Sequence, residues 1–345
     1  MVNNMHKKLV DKSLIFVTIG LVIFGLIMVY SASNVVAMYK YNDSLYFFKR
    51  QLLFSIIGLV LMFIVIKINV DWFYKYYLII FIVSSILLIL VLIPGIGVVR
   101  GGARSWIGFG SFSIQPAEII KLTIIIFLSS ILSKNKSNIN KFKNVLLYLT
   151  CIVLTFFLIM LQPDFGTGLV FVLASLLVLF ASGISIKYFL ILGIIGIIGV
   201  VFLIASAPYR IERIFAFLNP WNDPLGSGFQ AIQSLFAIAP SGIFGLGFNN
   251  SMQKHFFLPE PQNDFIFAIV CEEFGLIGGL ILIGAFLYII IRLLVISTKV
   301  EDNRYKLTLV GVASLLFVQV FINIGVVIGL LPVTGITLPI ISYGG

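Results

Sequence analysis

The chain has 345 residues, of which 60% are hydrophobic and 10% charged, and 23 Lys and Arg outnumber 13 Asp and Glu for a formal net charge of +10. So little polar surface cannot coat a water-soluble globule of this length, which makes lipid the solvent. The apolar runs are of the roughly 20-residue kind rather than alternating segments of ~10, which excludes a barrel and gives an all-α polytopic membrane protein; the cations sit in short loops between spans, which reads as topology rather than nucleic-acid binding.

Lys7 and Lys8 precede an apolar run from Leu14 to Tyr30. That run exceeds the ~7 to 15 residues of a signal-peptide core, so it is read as a retained first helix, although Ser31-Ala32-Ser33 imitates a cleavage site. Nine spans are predicted, at 14–33, 51–68, 76–94, 116–133, 145–161, 168–184, 187–206, 265–291 and 307–331. With the N-terminus in the cytoplasm the inner loops hold 14 cations and 4 acids, net +10, against eight cations and six acids, net +2, outside. The positive-inside rule favours that orientation. Residues 208–263 interrupt the rhythm of short loops. They are rich in Gly, Pro and Asn yet carry Trp221, Phe229, Phe236, Phe248, Phe256 and Phe257, so one large, ordered extracytoplasmic loop is expected. Neither an internal repeat nor a low-complexity linker divides the chain, and 1–345 is one transmembrane domain.

Candidate chemistry follows the same order. Arg100 and Arg104 share an outer loop with Gly101, Gly102 and Trp106, while Arg210, Arg213 and Lys254 flank the large loop. Arginines beside glycine backbone amides suit a pyrophosphate at the membrane surface, and equally suit lipid headgroups. Four charges fall inside spans, Glu118, Lys121, Glu272 and Glu273, where each costs about 2.5–3.5 kcal/mol on insertion scales. Glu118 and Lys121, just past Pro116, share a helix face and can neutralise each other, either for packing or in the site. Gly242, Gly245 and Gly247 imitate a nucleotide loop, but no strand precedes them and no Lys-Ser/Thr follows. Asp264 opens an apolar run, where a carboxylate can be a plain N-cap or a catalytic group. Measured from it at 100° per residue, Glu272 lies about 80° and Glu273 about 180° round the helix, so at most one is expected to serve it. His6 and His255 are isolated and Cys151 and Cys271 lie in apolar runs, which leaves no basis for a triad, a zinc site or a disulfide framework.

Specific motifs run through the chain: Gly-Ala-Arg-Ser-Trp-Ile at 102–107, Ile-Gln-Pro-Ala-Glu-Ile-Ile-Lys at 114–121, Asn-Pro-Trp-Asn-Asp-Pro-Leu-Gly-Ser-Gly-Phe-Gln at 219–230, Gln-Ser-Leu at 233–235, Leu-Pro-Glu-Pro-Gln-Asn-Asp-Phe-Ile-Phe at 258–267 and Ile-Ser-Tyr-Gly-Gly at 341–345. In this order they resemble the SEDS family (shape, elongation, division and sporulation). Pro-Glu-Pro-Gln before Asn263 and Val-Tyr-Ser-Ala-Ser at 29–33 are closer to its division and sporulation branches than to its elongation branch. The resemblance implies a ten-helix bundle, so a tenth span after Gly345 is expected to be missing here. It implies an inverting peptidoglycan glycosyltransferase of the bacterial cytoplasmic membrane that polymerises lipid II during septal or spore wall synthesis. Asp264 is then the catalytic residue and Glu118 with Lys121 a functional membrane pair. Arg104, Arg210, Arg213 and Lys254 are the pyrophosphate candidates, with Trp106, Gln230, Gln233, Glu260 and Glu272 in support. A class B penicillin-binding protein is the implied partner, along with other division or sporulation wall-synthesis proteins. No cofactor is evident and no metal-ligand spacing is visible, although a divalent cation could assist the pyrophosphate. A lipid II flippase and a scaffold for the transpeptidase are the alternatives.

Overall fold

The structure, a computed structural model, describes residues 11–344 apart from 101, 110, 111, 206–210, 212–214 and 216. Among them, six helices are long and apolar enough to cross a membrane: α1 (Lys12–Tyr41), α2 (Tyr46–Lys67), α5 (Pro116–Lys134), α6 (Phe142–Met160), α10 (Ile266–Lys299) and α11 (Asn303–Val327). Three further apolar helices, α4 (Tyr77–Leu90), α7 (Phe165–Ala181) and α8 (Ile186–Ala205), account for the other predicted spans, and a single turn, α3 (Asp71–Lys75), precedes α4.

Local chemistry sets several boundaries. Asp11 starts α1 by accepting the backbone N–H groups of Ser13 and Leu14, Asp302 does the same for α11 through Arg304, and Asp164 caps α7 through Thr167. Each carboxylate satisfies donors that have no intrahelical acceptor. Pro116 in the first turn of α5 needs no such acceptor. Two thirds of the most apolar stretch of α5 and of α11 is buried, against 6% for α2, so α5 and α11 form the centre and α2 faces lipid. Polar contacts sort the helix ends into two groups. At one end Arg292 meets Asp11, Tyr74 donates to Thr308, and Arg304 pairs with Asp302 and Asp71. At the other, Ser31 meets Glu273, Gln51 donates to the Ser342 carbonyl, and Lys121 donates to Gln319.

At this second end the all-α bundle also carries a small sheet. A three-stranded antiparallel meander, β1 (Gly97–Arg100), β2 (Ala103–Phe109) and β3 (Phe112–Ile114), lies between α4 and α5, with Val98 opposite Trp106 and Ile107 opposite Ile114. Its β-branched positions suit a sheet, and Gly102, at φ +83°, makes the first turn. The large loop is ordered where described: helix α9 (Phe229–Ile238) sits between two 3₁₀ turns, and its buried Ser234 donates to the Val327 carbonyl at the end of α11.

Candidate active site

Asp264 lies in a turn over 261–265, directly before α10, and is half-buried. The structure corrects its reading as an N-cap: the cap position is Phe265, which makes no side-chain capping bond. Its backbone is held from another helix. Asn323 of α11, 1% exposed, donates through Nδ2 to the Asp264 carbonyl at 2.7 Å and to the Ile336 carbonyl at 2.7 Å. Glu260, at φ +46°, accepts both the backbone and side-chain N–H of Asn263 and folds the chain immediately before Asp264.

One turn earlier on α11, Gln319 accepts from Lys121 Nζ at 3.1 Å and donates to the Thr337 carbonyl at 3.2 Å. Lys121 is 3% exposed and pairs at 2.7 Å with Glu118, whose carboxylate is 48% exposed. The span charges are therefore treated differently, with the cation sealed in the bundle and the anion open at its end. Beside them, Gln115 donates to Asp164 at 2.7 Å. Burial pushes the Asp164 carboxyl above its ordinary value, its Thr167 hydrogen bonds oppose this, and the nearby negative charge of Glu118 raises it further.

Glu272 and Glu273 serve a different feature from Asp264, the clasp formed by residues 251–254 and Ser31. Gly275 has φ +66° and ψ −162°, which breaks α10. Residues 242–247 cross at the break, where Leu246 and Gly247 donate to the carbonyls of Glu272 and Glu273, and Leu276 and Ile277 donate to those of Gly242 and Ile243. A Cβ on Gly245 or Gly275 would strike the opposing backbone, so Gly245, the middle of the three glycines that imitate a nucleotide loop, is there for this close crossing. The loop then folds over both carboxylates. Glu272 accepts from the Ser251 hydroxyl and the Met252 and Gln253 amides, and Glu273 from the Ser31 hydroxyl, the Ser251 amide and Lys254. Both are sequestered because residues 251–254 bond to the two carboxylates together.

Lys254, offered from sequence to a pyrophosphate, is 2% exposed and donates to the carbonyl and side-chain oxygens of Asn249 at 2.6 and 2.7 Å and to Glu273 at 3.5 Å. Burial pushes its ammonium below the ordinary lysine value, and Glu273 opposes that shift. Arg104, on β2, reaches the Leu92 carbonyl at 3.5 Å and is half-buried; Trp106, two residues on, is half-buried too. Gln230 and Gln233 are half-buried on α9. Arg210 and Arg213 lie outside the described residues. Among the described residues, no three His, Cys, Asp or Glu side chains are grouped to hold a metal ion.

A family model spanning FtsW, RodA and SpoVE, described as a cell cycle protein, matches residues 11–345. The chain belongs to the FtsW/RodA/SpoVE family. Stage V sporulation protein E of Bacillus subtilis (strain 168) is 50% identical to it over 336 residues, covering 97% of this chain and 92% of that protein. A probable peptidoglycan glycosyltransferase FtsW of Geobacter metallireducens is 38% identical over 336 residues, 97% of this chain and 90% of that one. Among solved structures, a chain from work on structural coordination of polymerization and crosslinking by a peptidoglycan synthase complex superposes with a TM-score of 0.78 at 30% identity, covering 97% of this chain and 92% of that one. RodA of Thermus thermophilus superposes at 0.67 and 25% identity, covering 99% and 92%. Sequence reasoning about this FtsW/RodA/SpoVE member missed Gln319 and Asn323, although two amides four residues apart in an apolar span are a readable signal, since each must find a partner away from water.

Proposed function

We propose that this chain is an inverting peptidoglycan glycosyltransferase that polymerises lipid II at the outer face of the bacterial cytoplasmic membrane, with its N-terminus in the cytoplasm. The observation that carries the reading is a carboxylate, Asp264, held in a non-helical turn by a buried amide at the same end of the bundle as the Glu118–Lys121 pair. Relatives named as peptidoglycan glycosyltransferases support the reaction class, and the excess of cations in the predicted inner loops supports the orientation.

Asp264 is the general base. It takes the proton of the acceptor sugar's 4-hydroxyl as that oxygen attacks the anomeric carbon of the donor, forming the new glycosidic bond while the bond to undecaprenyl pyrophosphate breaks. Pyrophosphate departs as an anion and needs no proton, only compensation of charge. Arg104, Arg210 and Arg213 are the cations offered to it. Lys254 belongs instead to the clasp on α10, because its ammonium is enclosed by Asn249 and Glu273. A class B penicillin-binding protein is the proposed partner, in keeping with the superposition on a chain of a peptidoglycan synthase complex.

The test is polymerisation of lipid II by the chain reconstituted with its transpeptidase, comparing wild type with Asp264→Asn after checking folding and complex formation. Loss of a general base is expected to lower the rate by about 10²–10⁴. Equal polymer from both removes Asp264 from the mechanism. Absence of polymer from the wild type, with lipid II becoming accessible outside, favours the flippase.

A further inference from the structure

Gln319 and Asn323 are four residues apart, so they stack on one face of α11. Each makes two bonds, and the four partners form a pattern. Asn323 binds the carbonyls of Asp264 and Ile336, and Gln319 binds Lys121 and the carbonyl of Thr337. Both amides thus grip the adjoining residues 336–337 of one segment, while each reaches one element of the proposed site, the Asp264 turn or the Glu118–Lys121 pair. Both are enclosed, at 1% exposure for Asn323 and 7% for Gln319. The turn at 261–265 lies outside α10, so the ladder of that helix does not set where Asp264 sits. A bond to its carbonyl from the central helix α11 helps to set it.

We propose that Asn323 is a positioning residue for the transfer reaction, setting the turn that carries Asp264, and that Gln319 holds Lys121 in register with it. This rests on the assignment of Asp264 as the base. Asn323 touches the backbone of Asp264 and acts through it. Loss of its amide displaces the carboxylate from the attacking hydroxyl without removing any side chain offered to the substrate, so the turnover number falls while the affinity for lipid II does not. Misplacement by about an ångström costs on the order of 10²-fold in rate.

The experiment measures steady-state lipid II polymerisation by the chain in complex with its transpeptidase, for Asn323→Leu, Asn323→Asp and Asp264→Asn. Thr308→Val is the control, since it removes a hydrogen bond from the other end of the same helix. Asn323→Asp keeps the shape of the side chain if the leucine variant does not fold. The expected result is a kcat lower by about 10- to 100-fold in both Asn323 variants with KM unchanged within about threefold, and wild-type kcat in Thr308→Val at a comparable melting temperature. Wild-type kcat in folded Asn323 variants overturns the proposal, as does a raised KM at unchanged kcat or an equal loss in Thr308→Val. Should Asp264→Asn itself polymerise at the wild-type rate, the assignment of the base fails first; should it be inactive while Asn323→Leu is not, only the positioning role fails.

Discussion

At the scale of single residues, two lysines of similar sequence promise end in different roles because of what surrounds them. Lys121 ties an open carboxylate, Glu118, to the centre of the bundle, whereas Lys254 is enclosed between Asn249 and Glu273. Removing Lys254 leaves Glu273 as a buried anion with one partner fewer, and breaking a buried pair costs about 3–5 kcal/mol. Lys254→Met is accordingly expected to lower the melting temperature of the detergent-solubilised protein, and adding Glu273→Gln to restore part of it. A Lys254→Met protein as stable as wild type would show that the pair is not holding the loop. At the opposite end, Asp11 has its carboxyl lowered to about 2 by hydrogen bonds from Ser13 and Arg292. Because the folded value is depressed, this contact is fully present above the ordinary carboxylate range and is lost as pH falls toward 2. Arg292→Gln is expected to move the Asp11 midpoint back up, as read by carbon-13 NMR of the carboxyl.

At the scale of elements, the decisive feature is the crossing of residues 242–247 over α10. Gly275 lies inside one predicted span, 265–291, whose apolar residues resume directly after Glu272 and Glu273, so the helix is read straight through. Its cause is tertiary: Gly245 and Gly275 allow two backbones to meet and exchange hydrogen bonds, and the loop that follows brings residues 251–254 onto the Glu272 and Glu273 carboxylates. Gly275→Ala places a Cβ at a positive φ against the Ile243 carbonyl. Strain of this kind costs about 1–3 kcal/mol before any clash is counted, so a lower melting temperature and weaker polymerisation are expected together. An alanine variant with wild-type stability and rate would mean that the crossing can relax. The meander at 97–114 was likewise invisible, because short strands rich in Gly and Arg between two apolar spans look like a loop until their partners are known.

At the scale of the whole molecule, the proposed orientation places α9 and the meander outside and the loop between α5 and α6 inside. Trp221 is exposed in the first region and Lys136 in the second. In intact cells, a membrane-impermeant maleimide is expected to label Trp221→Cys, and to label Lys136→Cys only after lysis, in a background with Cys151 and Cys271 replaced. The reverse pattern would invert the topology and move the site to the cytoplasm. Hydropathy alone determined that this chain is a helical membrane protein and where the nine apolar helices among the described residues run, since a backbone in lipid must bond to itself and only long apolar runs can do so. Its ordered motifs identified the family. Tertiary structure alone decided which span residues are enclosed and by what: that Gln319 and Asn323 tie Lys121 and the Asp264 turn to one segment, that both glutamates of α10 meet one loop, and that Lys254 belongs to that loop. Those assignments depend on contacts between residues as far apart as Ser31 and Glu273, and a polar group in a membrane takes whichever distant partner the packing brings to it.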